Sequence, residues 1–141
     1  MKTERRHLDH GDFKRRIKET LEDFTCIYDI DVNLVDQPIR AKVTIDPKMS
    51  TYDEVKEFLH FVGDDEARVL CETKNGVLKP IDEGFRDGEE FTYTLGINEM
   101  SQILTKSYNL PRDKQIDSII EFKDTFDIYI GENTHSIVTT R

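Results

Sequence analysis

Two histidines three residues apart, in the segment His7-Leu8-Asp9-His10-Gly11-Asp12, are the nearest this chain comes to a metal-ligand spacing. Positions three apart share a helix face, so one cation could meet both rings. Zinc, however, needs further ligands and an ordered layer of partners around them. The segment supplies neither and reads as a flexible arm. The acidic run Asp82-Glu83-Gly84-Phe85-Arg86-Asp87-Gly88-Glu89-Glu90 could be a calcium loop, but calcium takes about six to eight oxygens in organised order, and the run does not follow the EF-hand pattern. A solvated connection pinned by Phe85 accounts for it. Cys26 and Cys71 stand far apart, without CxxC spacing and without neighbouring His or basic groups to lower a thiol pKa. Both fall in strand-like apolar runs, as core thiols of a reducing compartment would.

The remaining candidates are weaker still. His135 falls in a predicted turn beside Ser136 with no orienting partner, and His60 points away from the apolar stripe of its helix, near Lys56. Asp53 and Glu57 share a solvated helix face. No P-loop, GxGxxG, HExxH, GxSxG or HxE with PCxxC pattern is present. No residue is nominated as catalytic and no metal or cofactor is expected, so the chain is read as a non-enzyme.

These residues belong to a chain of 141 with formal net charge −9, enough for one ordinary domain. Hydrophobic residues make up 36% and charged residues 35%, a globular but highly soluble balance. The charge is uneven. Residues 1–18 hold seven Lys/Arg against three Asp/Glu, a local +4, which leaves −13 on the remainder. So acidic a body repels duplex nucleic acid and suits a protein partner with a basic face. No run approaches the ~18 apolar residues of a membrane span, and no secretory signal opens the chain, so a cytoplasmic location is expected.

Local patterns predict the elements that must position any site. Phe13, Ile17, Leu21 and Phe24 form one stripe on a helix over 12–24, with Asp12 as N-cap. The stripe must dock on the adjoining sheet or on a partner, and the sheet is favoured. Period-two alternation predicts a strand over 26–35 with Cys26, Tyr28, Ile30, Val32 and Leu34 on one face, then a return strand over 39–46. Thr51 or Ser50 caps a helix over 51–62 that buries Val55, Phe58, Leu59 and Val62 and ends at Gly63. Strands follow over 67–73 and 77–81 around Asn75-Gly76, then over 90–96 through Phe91, Tyr93 and Leu95. Beyond Gly96 the spacing allows a short helix capped by Asn98. Residues 113–122 fit helix or strand through Ile116, Ile119 and Ile120. Alternation at Phe126, Ile128 and Ile130, a turn at 131–133 and a return over 136–140 predict a C-terminal hairpin.

The order strand, strand, helix, strand, strand, strand over about 26–96 resembles the ubiquitin-like β-grasp superfold. The stretch ARVLCETKNGVLKPIDEGFRDGEEFTYTLG is similar to the end of doublecortin-type and prokaryotic ubiquitin-like domains. The resemblance implies an α+β fold with a mixed sheet. Three parts are expected: an N-terminal basic arm and amphipathic helix (1–25), the β-grasp core (26–96), and a C-terminal α/β extension packed on it (97–141). The test of this arrangement is whether Val55, Phe58 and Leu59 share one interior with Ile30, Val43, Val69 and Tyr93. The chain runs on past a lone Gly96 and finishes Thr139-Thr140-Arg141 rather than in a diglycine tail, so a conjugated modifier is not expected. By the same resemblance Leu70, flanked by Arg68 and Glu72, takes the outward aliphatic position of a binding patch with Thr92 and Thr94 beside it, although burial under the N-terminal helix or the C-terminal hairpin is the slightly favoured alternative. The implied function is a protein-protein interaction adaptor. Leu70, Arg68, Thr92, Thr94, Asp82, Glu83, Glu89 and Glu90 are its candidate partner-binding residues. The alternatives are an acidic inhibitor or immunity-type protein that occludes a basic enzyme or nucleic-acid-binding site, and an enzyme using scattered carboxylates with a metal.

Overall fold

The N-terminal segment read as a flexible arm is a strand. The computed structural model describes residues 4–64 and 70–132, and in it β1 (Glu4–Asp9) pairs antiparallel with β8 (Thr125–Glu132). Leu8 lies opposite Phe126 and is buried there, an apolar anchor too isolated to register as a sequence pattern. Helix α1 (His10–Leu21) follows directly. Its N-cap is Asp9 rather than Asp12: the Asp9 carboxylate accepts from the Asp12 backbone N–H at 2.7 Å. Phe13, Ile17 and Leu21 are buried as expected. The stripe docks within the molecule, on β8, β2 (Ile27–Asn33) and α4 (Ile97–Ser107).

Five strands form the larger sheet in the order β2, β3 (Arg40–Ile45), β6 (Phe91–Leu95), β4 (Leu70–Thr73), β5 (Leu78–Pro80). Every pairing among the described residues is antiparallel, which corrects the mixed sheet implied by the resemblance. The return strand β3, not the opening strand β2, receives β6. Tyr28, expected inside, is 65% exposed because a bulge between Ile27 and Asp29 shifts the register. The extra residue puts Ile27 and Ile30 on one face despite their spacing of three. β7 (Lys114–Phe122) repeats this device: a bulge between Ile116 and Ser118 aligns Ile116 with Ile130 and Ile119 with Ile128. The helix-like spacing of three in 113–122 therefore belongs to a strand. β1, β8 and β7 make a separate three-stranded sheet, so the hairpin is β7–β8, and of the turn expected at 131–133 the described residues Gly131 and Glu132 are the end of β8. The return strand over 136–140 and His135 lie outside the described residues.

Helix α2 (Tyr52–Phe61) starts in a capping box: Thr51 Oγ1 accepts from Glu54 N–H at 3.3 Å, and Glu54 accepts from Thr51 N–H at 3.1 Å. Its end is a Schellman turn in which Gly63, at φ +96°, donates to the His60 carbonyl and Asp64 N–H to that of Leu59. α4 ends in the same way at Asn109, φ +55°. The N-cap of α4 is Gly96, not Asn98. Val55, Phe58, Leu59, Val43 and Tyr93 share one fully buried cluster with Ile30 packed against it; Val69 lies outside the described residues. The first part of the acidic run expected as a solvated loop instead belongs to a short helix, α3 (Ile81–Arg86), which buries Ile81 and Gly84, while Phe85 packs against Tyr52 and Phe91 as the expected pin. No helix among the described residues is long and apolar enough to cross a membrane.

Glu54 also accepts from the Thr25 hydroxyl at 2.7 Å, and this bond, ahead of those from Thr51, holds its carboxyl below the usual carboxylate range. A depressed folded-state pKa contributes stability above the unfolded value and loses it as pH falls through the folded one. Thr51→Ala, which removes the N-cap hydroxyl, is expected to cost about 1 kcal/mol at neutral pH. The difference should shrink under acid, as urea denaturation at two pH values would read. A constant difference at both would show that the Glu54 charge takes no part in the cap.

Candidate partner-binding surface

Strand register groups the side chains of each face of the five-stranded sheet, and burial shows one of these faces open to solvent. Residues directly opposite in an antiparallel pair share a face, as do alternate residues along a strand. Leu70 lies opposite Pro80 and Glu72 opposite Leu78, then Glu72 opposite Thr92 and Thr92 opposite Thr44. Two residues along, Thr94 faces Lys42 and Lys42 faces Asp31. The inner neighbours of these residues, Cys71, Tyr93 and Val43, are buried, Tyr93 against Phe58 of α2 and Cys71 against Gly84 of α3.

Leu70 is therefore exposed, at 51%, and not covered by α1 or the hairpin, which correct the slightly favoured expectation of burial. Leu78 beside it is 63% exposed, and Val77 in the adjoining turn is also open. Together with Pro80 they form an apolar strip at one edge of the face. Leu70 is the residue the sequence nominates; Leu78 and Pro80 join it only through the β4–β5 register. Thr92 is half-buried and Thr94 exposed. Arg68 lies outside the described residues.

The four acidic residues do not make one bare negative patch. Asp82 and Glu83 open α3, and Asp82 pairs with Arg86 at 3.2 Å across one helical turn. Glu89 and Glu90 border a shallow polar depression that also holds Asp46, Lys48, Lys74 and Asn75, with the Asn75 amide 3.5 Å from Glu89. Asp87 of the same run pairs with Lys79. Its negative charge is thus distributed among local cations.

The other sequence candidates resolve as structure. His7 pairs with Asp127 and His10 with Glu121, at 3.1 Å for the latter, so the two rings are tied to different carboxylates of the hairpin. Among the described residues no three His, Cys, Asp or Glu side chains converge. Both thiols are buried and unpaired. Burial pushes the Cys26 thiol up to about 11, with the Glu54 charge adding to it, and burial raises that of Cys71. Both are protonated at neutral pH, the wrong state for a nucleophile. Comparison with protein-family models, curated proteins and solved structures gives no match.

Proposed function

We propose that this chain is a non-enzymatic protein-protein interaction module of the ubiquitin-like adaptor type, binding a partner with a basic face through the outer surface of its five-stranded sheet. The observation that supports this most is the exposed strip of Leu70, Leu78 and Pro80 on a face whose remaining positions are small or charged. Apolar anchors ringed by polar residues are the arrangement in which a few side chains carry most of an interface energy. The net charge of −9 adds attraction during encounter and acts mainly on the association rate. Replacing Leu70 and Leu78 together by Asp is expected to weaken partner capture at least about ten-fold, since burying each leucine is worth about 1.5–3 kcal/mol. Both side chains already face water, so the fold should be retained. Native pull-down with mass spectrometry, run with wild type and variant at low and high salt, measures this. Recovery of the same proteins in the same amounts with both would end the proposal. Charge reversal at Asp82, Glu83, Glu89 and Glu90 should lower capture at low salt only.

A further inference from the structure

Each sheet leaves its two outer strands without a hydrogen-bonding neighbour on one side among the described residues: β2 and β5 in the larger, β1 and β7 in the smaller. Open edges invite pairing with another chain, and proteins block them with charges, proline, bulges or short length. Three of these edges are blocked. β5 has three residues and ends in Pro80. In β1 every residue but Leu8 is ionisable. β2 carries Asp29, Asp31 and a bulge, with α1 packed on it. β7 differs: it is nine residues long, and Ile120 and Phe122 stand 51% and 63% exposed on it.

The bulge in β7 makes this edge self-complementary. Lys114 and Glu121 are seven positions apart, which in a regular strand puts them on opposite faces. The extra residue brings Lys114, Ile116, Ile119 and Glu121 onto one face, opposite Glu132, Ile130, Ile128 and Phe126 of β8. Asp117, the remaining charged residue, turns its carboxylate over β8, where a Cβ added to Gly131 would overlap it. The middle of the free edge is thus uncharged. A second β7 laid antiparallel along it and centred on Ser118 sets Lys114 opposite Glu121 twice and Ile116 opposite Ile119 twice. Centring on Ile119 instead sets Ile116 against Glu121 and loses both ion pairs.

We infer that β7 is a homodimerisation edge, pairing antiparallel with β7 of a second copy about a two-fold axis at Ser118 and joining the two smaller sheets into one. The occupant is a second copy because the edge supplies both halves of every pair, as a two-fold interface requires. Glu121 keeps its contacts with Gln37 at 2.9 Å and His10 at 3.1 Å, one on each oxygen, and a carboxylate accepts about four in all. The net charge of −9 on each copy opposes encounter, but salt at about 0.15 M confines that repulsion to about 8 Å. Only the charged β1 edges of the joined sheet stay open, so assembly stops at two copies. Leu70, Leu78 and Pro80 lie on the other sheet, so the inference stands apart from the adaptor reading.

Sedimentation velocity in about 0.15 M salt, over about 1 µM to 1 mM protein, should show a monomer-dimer equilibrium with half-dimerisation near about 0.1 mM. Lys114→Glu and Glu121→Lys, each checked for native fold by circular dichroism, should weaken self-association at least about ten-fold, because two attractions become two repulsions. Mixed in equal amounts, the two variants should associate within about three-fold of wild type, since each pair in the mixed dimer is again Glu with Lys. Ser118→Cys should form a disulfide-linked dimer under mild oxidation and Phe122→Cys, far from the axis, should not; the native thiols are buried. Should Glu121→Lys fail to fold, Lys114→Glu and the cysteine variants decide alone. A chain monomeric to about 1 mM, a Lys114→Glu variant that associates like wild type, a mixture of folded variants that stays monomeric, or crosslinking through Phe122→Cys in place of Ser118→Cys would each overturn the inference.

Discussion

Phe126→Ala is expected to lower the unfolding free energy by about 3–5 kcal/mol, with the remaining structure still lost in one transition. The Phe126 side chain is fully buried, its ring centroid 4.6 Å from that of Phe13 and 5.0 Å from that of His10. It stands opposite Leu8 on one side and Glu121 on the other, on the central strand of the three-stranded sheet beside the β7–β8 turn. Truncation removes the contact surface of β1, α1 and the hairpin at once, and neighbours held by two ladders of strand pairing relax only partly into the void. The same buried cluster continues through Leu21 and Leu104 to Tyr93 and Phe58. The loss should accordingly be shared by the five-stranded sheet. Urea unfolding followed by both circular dichroism and tyrosine fluorescence reads the size and the number of transitions. A cost under about 1 kcal/mol, or a split into two transitions, would mean that the hairpin is an appendage with its own stability.

Gly84→Ala should destabilise by about 1–3 kcal/mol. This reverses the usual sign, because alanine in a helix is normally better than glycine by roughly 0.5–1 kcal/mol. Gly84 sits in α3 against β4, and an added methyl group there would overlap Cys71 Sγ. Cys71 is itself fully buried, its thiol directed at the Lys79 carbonyl 3.4 Å away, so it has no open space to move into. The expected signature is non-additivity: Cys71→Ala clears the space, and Gly84→Ala should then be neutral or stabilising in that background. Thermal unfolding of the two single variants and the double variant completes the cycle. Equal effects of Gly84→Ala in both backgrounds would show that the helix lies farther from the strand than this packing requires.

The elements legible in the sequence are those whose information is local. α2 announces itself through Thr51, Glu54, the stripe Val55, Phe58, Leu59 and the stop at Gly63, because a capping box, a helical period and a left-handed terminus are each written within a few residues. β3 and β6 are equally plain from strict alternation. The misread elements depend on partners far away in the chain. β1 is a strand because β8 offers it a ladder more than a hundred residues later, and α3 is a helix because Gly84 lets it lie on Cys71. Tyr28 turns outward and 113–122 becomes a strand because bulges convert a spacing of three into a shared face, a choice settled by the pairing strand rather than by the bulged one.

The candidate surfaces divide along the same line. Thr92 and Thr94 could be named from alternation, since the face of a strand follows from its period, whereas Leu70 is named only through the ubiquitin-like resemblance. Leu78 and Pro80 join them only through register, and the face of β7 that holds Lys114, Ile116, Ile119 and Glu121 forms only through the bulge in its pairing with β8. By itself the sequence determined the α+β composition, the acidic balance and the interior of α2 against its sheet, all consequences of local period and charge. The tertiary structure alone decided which strands neighbour one another, whether Leu70 meets water and which sheet edges stay open, because antiparallel pairing between distant segments has no local signature and its free energy is realised only once both partners and the core beneath them are in place.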